Sequence, residues 1–359
     1  MCGHLPATAP PVHATISPMS RQRVIRGIVT GGSGLVAVLA AAGPVLAHGP
    51  VPTEAPTATS LLLGWTWQPI PTLAIAGVAV WWLWAVRRVD AAHPTNPVPR
   101  RRTVAFLAGM LALAFALISG IERYDTSLFS IHMVQHVLLM LVAAPLLALA
   151  APVTLVLRLG SAETRRRWLL PVLHSGAVRF LAHPVVAWVM FAAMMWATHF
   201  SPLFNAALEN PLVHDIEHML FLTGALLFWW PAVALDPAPW RMSHPARIGY
   251  LFTQMTQNTF LAVVILNATT VLYPHYAALV RPWGMSALED QRLAAGIMWI
   301  AGDAIFLTAI LAVVAGWMRA EARNEAREDR RAGEELTQIR IRERRLAERL
   351  AEERGETGR

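Results

Sequence analysis

Apolar stretches of roughly membrane-spanning length recur along this chain, and they restrict it to one kind of fold. An α-helix needs about 20 predominantly apolar residues to cross hydrocarbon. Only helices and closed barrels satisfy their own backbone polar groups there. Seven such stretches can be read, at about residues 69–86, 103–119, 128–157, 184–204, 213–234, 248–272 and 293–317. The chain of 359 residues is 55% hydrophobic and 15% charged, with a mean hydropathy of +0.44, too apolar for a soluble protein of this length. The expected class is all-α: a polytopic helical membrane protein with about seven transmembrane helices. Trp65 and Trp67 before the first stretch, Trp81, Trp82 and Trp84 at its end, and the run FWWP closing the fifth fit interfacial aromatic belts. Pro145 and Pro152 are expected to kink the third, which is long enough to tilt.

Flanking segments divide the rest. Residues 1–47 read as an upstream extension followed by a signal peptide. Met19 precedes Arg21, Arg23 and Arg26, then comes a small-residue apolar run, then Val45-Leu-Ala47 as a cleavage site. An uncleaved extra span is the competing reading. Residues 48–64 form a short periplasmic segment, 65–317 the membrane domain, and 318–359 a cytoplasmic Arg/Glu-rich helical tail. In that tail Leu336, Ile339, Leu346 and Leu350 make one narrow apolar stripe, as a solvated helix or a short coiled coil would. The single cysteine, Cys2, excludes a disulfide framework or a thiolate site within one chain. The 30 basic residues are all arginine and the net charge is +7. They concentrate in alternate loops and in the tail, which topology explains without a nucleic-acid partner. By that rule the mature N-terminus lies outside, on the periplasmic side, and the C-terminus is cytoplasmic.

This orientation sorts the histidines. His132 and His136 open the third span, His199 closes the fourth, His214 and His218 open the fifth, and His275 lies in the last outer loop. All six reach the outer side, whereas His174, His183 and His244 fall on the inner side. Residues four apart share a helix face, so each HxxxH pair presents two imidazoles one turn apart. Intramembrane ionisable groups are functional candidates by default. Imidazole suits copper, zinc, iron and nickel, and thioether suits Cu(I). Met140 follows His136 by four residues and Met195 precedes His199 by four, so both are accessory candidates, as is His275. Glu217 follows His214 by three and is placed to hydrogen-bond a ligand's free ring nitrogen. Asp303, within the seventh span, reads either as a relay or as a carboxyl bonded to a neighbouring helix. Gln254, Gln257, Asn258 and Asn267 read as interhelical hydrogen-bond partners, and Glu289 and Asp290 as caps of the seventh helix.

Three runs carry a family resemblance: FSIHMVQHVLLMLVAAPLLALAAP from Phe129, ATHFSPLFNAALENPLVHDIEHMLFLTGALLFWWP from Ala197, and EDQRLAAGIMW from Glu289. With them the chain resembles the CtaG assembly factors of caa3-type cytochrome c oxidase, over about residues 65–317. The resemblance implies a multi-pass plasma-membrane protein of respiratory-chain biogenesis that is not an enzyme. It would help load copper, as Cu(I), into a haem–copper oxidase. Its partners would be oxidase subunits and periplasmic copper donors. The family's metal-binding histidines carry over onto His132, His136, His199, His214 and His218. The tail and the first 18 residues lie outside the resemblance, and the oligomeric state is left open.

Other functions use the same residues. Two helix histidines can ligate haem in an electron-transfer protein, although such a site does not need two HxxxH pairs on one side. A di-metal lipid hydroxylase or desaturase is a poorer fit: the chain has no adjacent HH pair, and its histidines face outward. A metal-free scaffold or transporter would use them for contacts or ion passage.

Overall fold

The computed structural model of the protein describes residues 52–353 and 355. The extension, signal segment and cleavage site expected over residues 1–47 lie outside these. The described residues form an all-helical bundle whose principal elements are α1 (Pro69–Ala92), α2 (Arg100–Tyr124), α3 (Phe129–Leu159), α4 (Pro184–His199), α5 (Pro202–Glu209), α6 (Pro211–Val233), α7 (His244–Leu266) and α8 (Ala287–Glu353). By length and composition α1, α2, α3, α6 and α8 can each cross a membrane. The bent pair α4–α5 makes a sixth if counted as one span.

Seven spans were expected, and the two departures have local causes. The fourth stretch does not run straight to residue 204. It breaks after His199, and α5 leaves at 70°, because Ser201 caps a new helix through Leu203 N–H and Pro202 starts it. The sixth stretch is a 23-residue helix, α7, but Arg247 and the polar run from Thr253 to Thr259 keep it less apolar than a free-standing span. Of these groups Thr253 and Thr256 bond carbonyls of their own helix. Gln254, expected to bond a neighbouring helix, makes no side-chain hydrogen bond, whereas Gln257, Asn258 and Thr259 bond neighbours. Asn258 Nδ2 donates to Met298 O at 3.2 Å, and the Thr259 hydroxyl lies 2.8 and 2.9 Å from the two Asp303 oxygens. Trp196 Nε1 of α4 donates to Gln257 Oε1 at 2.6 Å. Asn267, by contrast, bonds Val263 O within its own helix.

Helix α3 is the central rod, packed by α2, α6 and α8. Its first residue that could cap, Leu128, has no polar side chain. Asp290 of α8 does the work from outside, accepting from Phe129 N–H at 2.7 Å and Ser130 N–H at 3.3 Å. Asp290 therefore caps α3, and Glu289 alone caps α8, through Ser286. Beyond His136 the helix widens into a π-helical turn, Val137–Ala143. Pro145 is the physical reason: its ring crowds the carbonyl four residues back and it has no N–H to donate. Ala144 N–H turns to Leu139 O, five residues back. That shift leaves Met140 O without a helical donor, and Trp229 Nε1 of α6 supplies one at 2.9 Å. Trp229 is thus buried in the bundle rather than interfacial. Trp82 is buried as well, stacked on Phe106 at 3.9 Å, while Trp81 and Trp84 stay exposed. Pro152 breaks α3 outright. Ala151 takes a left-handed conformation (φ 56°), and Asp236 caps the restarted helix at Val153 and Thr154.

Candidate metal centre

The two HxxxH pairs start their helices at the same end of the bundle and face each other. Asn210 caps α6 at Leu212 and Val213, which sets His214 in the first turn and His218 one turn on. Asp290 does the same for α3 and its His132 and His136. Ring centroids are 4.2 Å apart within the α3 pair and 4.1 Å within the α6 pair. Across the gap His132 meets His214 at 5.4 Å, and His136 meets His218 at 6.1 Å. Four imidazoles thus stand at the corners of a quadrilateral, all at most 5% exposed.

Two carboxylates complete it. Ligand atoms of Asp125, His132 and His214 all lie within 4.8 Å of one another, and so do those of His132, His136 and Glu217. His132 belongs to both groups, so they are adjoining halves of one centre. Asp125 Oδ2 is 3.6 Å from His214 Nε2, with both side chains fully buried. Burial, and next the neighbouring Glu122, push the Asp125 carboxyl well above the ordinary range. A cation at this point would supply the missing countercharge. A Glu217 carboxylate oxygen lies within 4.8 Å of ring nitrogens of His132 and His136, and Glu217 Oε2 makes no hydrogen bond.

His199 sits beside this centre at the end of α4. Its Nδ1 is 2.7 Å from Met195 O, so the ring donates there and Nε2 is left as a buried acceptor with no hydrogen bond. Phe204 of α5 lies between it and the quartet, 5.6 Å from the His199 ring and 4.9 Å from His132. The 70° bend is what puts Phe204 there. Met140 and Met195 line a space next to His136 and His199. His275 stands outside both groups, with Nε2 on Thr126 O at 2.9 Å, bracing the loop that carries Asp125. Asp303 is also apart, held by Thr259 of the neighbouring helix. The arginine-rich loops share the opposite end, where the Arg158 guanidinium bonds Asn96 O and Trp240 Nε1 bonds Arg179 O.

The family described as cytochrome c oxidase caa3 assembly factor (Caa3_CtaG) matches residues 80–320, which include every group named above. The chain belongs to that family. It is also 33% identical over 286 residues to the uncharacterized protein Mb0105 of Mycobacterium bovis, an alignment covering 78% of this chain and 43% of that protein. With the uncharacterized protein ML1998 of Mycobacterium leprae it shares 34% identity over 252 residues, 68% of this chain and 38% of that protein. The chain thus spans less than half the length of these relatives. No solved structure matches it.

Within the family domain, the sequence reading missed several residues of the centre. Asp125 looked like an ordinary loop acid. Its one signal is that it stands shortly ahead of His132, in a loop it shares with Glu122 and Arg123. Tyr276, whose hydroxyl donates to Asp125 O at 2.7 Å, carried no signal at all. Burial, and then Asp125, raise that phenol above its usual range and keep it a donor. Glu122 is tied to α3 by Gln135 and to the α1 entry by Gln68.

Proposed function

We propose that this protein is a non-catalytic membrane assembly factor for a haem–copper cytochrome c oxidase. It holds copper, as Cu(I), on His132, His136, His214 and His218, with His199 as the hand-over position. It acts at the outer face of the bacterial plasma membrane, taking copper from periplasmic donors and passing it to oxidase subunits. The observation that carries this reading is the buried quadrilateral of imidazoles at one end of the bundle, flanked by Asp125 and Glu217. Family membership supports an oxidase as the client, and the separation of arginine loops from histidines supports the orientation. Imidazole and carboxylate ligands exchange more readily than a closed thiolate cage, which suits a donor that must let its cargo go.

The geometry favours an ion over haem. A bis-histidine haem would need its two imidazoles parted by a macrocycle. The space beside His136 is a cavity of about 10 Å³, the size of one water, and offers no slot for a macrocycle.

Elemental analysis of the chain purified in mild detergent tests the reading, with Cu, Fe and Zn measured together. Near-stoichiometric copper is expected, lost in a His136→Ala/His218→Ala variant, along with a fall in oxidase copper in cells carrying that variant. Normal oxidase copper in those cells would end the proposal, and bound iron would move it to the haem alternative.

A further inference from the structure

Next to the quartet, a cavity of about 10 Å³, the size of one water, opens between α3, α4 and α8. Its lining includes Met133, His136, Met140, Met195, His199 and Met298, none more than 4% exposed. Four thioethers from three helices thus surround one small space with two imidazoles. His136 makes no hydrogen bond through either ring nitrogen, and His199 makes none through Nε2. Leaving buried polar atoms unpaired is costly. A well-packed apolar core would have avoided them.

A water molecule fits the space by size and finds its minimum of two polar partners in the two imidazoles, but it gives the four sulfurs around it no use. Asn258 Nδ2, the other polar group in the lining, is committed to Met298 O. What remains is two imidazoles and four sulfurs, and thioether sulfur is only a weak hydrogen-bond acceptor. The same sulfur is a good ligand for a soft, monovalent metal. Charge points the same way. The lining holds no carboxylate, and the Born cost of burying an ion scales with the square of its charge, so a divalent ion would cost about four times as much as a monovalent one.

We propose that this cavity is a separate soft-metal site that takes one Cu(I) ion, with ligands drawn from Met133, Met140, Met195 and Met298 and from His136 and His199. It rests on the reading of copper as cargo and adds a second position. The carboxylate-bearing quartet above accepts monovalent or divalent ions, whereas the thioether cavity selects Cu(I) and rejects Zn(II). His136 is common to both and joins them.

Copper K-edge absorption on the full chain, purified in detergent and loaded anaerobically with Cu(I), reads the neighbours of the metal. Sulfur neighbours are expected in the wild type and in His132→Ala/His214→Ala, which removes quartet ligands but none from the cavity. They should vanish in Met133→Leu/Met195→Leu/Met298→Leu, with Cu(I) affinity weakened roughly tenfold or more and Zn(II) binding unchanged. Met-to-Leu exchange nearly conserves volume, and the wild-type spectrum decides even if that variant fails to fold. Bound copper with only nitrogen or oxygen neighbours overturns the cavity site and leaves the histidine reading standing. No bound copper overturns both. A sulfur shell in a protein whose loss leaves oxidase copper normal keeps the site and removes the assembly role.

Discussion

If the histidine centre holds an ion, Asp125 is a side chain that opposes stability and serves binding at once. It is fully buried, its Oδ2 is 3.6 Å from His214 Nε2, and Glu122 stands close by as a second buried acid. A carboxylate held in such a place costs stability until a cation joins it. Asp125→Asn keeps an oxygen to accept Thr126 N–H and removes the charge. The metal-free variant should therefore melt at the wild-type temperature or above. Its copper-induced rise in melting temperature should be smaller than the wild type's, because ligand stabilisation follows affinity, and affinity should fall by roughly tenfold or more. Thermal unfolding with and without Cu(I) measures both. An undiminished copper-induced rise would reduce Asp125 to a turn cap.

At the scale of elements, the π-helical turn of α3 joins fold to site. Pro145 opens the turn, the turn frees Met140 O, and Trp229 of α6 satisfies it. Helix α3 and helix α6 are thereby locked together just below the two histidine pairs. Trp229→Phe should cost about 1–3 kcal/mol, the penalty for an orphaned buried carbonyl. Trp230→Phe next door should cost less, because Trp230 Nε1 makes no hydrogen bond. Unfolding in mixed micelles compares the two, and equal losses would contradict this account. The turn could not have been read from sequence. In an all-apolar segment hydrophobic periodicity has no phase to follow, so a change from four to five residues per bond leaves no trace. The histidine grouping was legible, since span order and arginine placement alone bring His132, His136, His199, His214 and His218 to one end. Met133 and Met298 were not, because methionine in an apolar helix reads as packing and their meeting depends on how α8 lies against α3. The capping of α3 by Asp290 was hidden for a similar reason: the donor groups and the cap lie at opposite ends of the domain's sequence.

Across the whole molecule, α8 connects the end of the bundle that holds the histidines to an exposed tail. Its first turn holds Asp290 against α3 beside the metal centre, and Met298 follows two turns later in the cavity lining. The same helix then runs on without interruption to Glu353. Residues 319–353 extend for about 50 Å at a helical rise of 1.5 Å per residue. The tail is exposed along almost its whole length, including Leu336, Ile339, Leu346 and Leu350 of the narrow stripe. No group of the metal centre lies on it. The part of α8 between Met298 and the tail spans about 30 Å, so the tail cannot reach the histidines. Removing residues 319–359 should leave copper per chain and the copper-induced rise in melting temperature unchanged. Surface segments without buried contacts contribute within about ±0.5 kcal/mol, so the melting temperature itself should barely move. If delivery happens at the histidine end, cells carrying the truncated chain should also keep normal oxidase copper. Unchanged copper binding with depleted oxidase copper would show that delivery needs a contact on the tail, which begins about 30 Å of helix away from Met298. That result would place the docking surface for the oxidase on the tail rather than around His199 and Phe204.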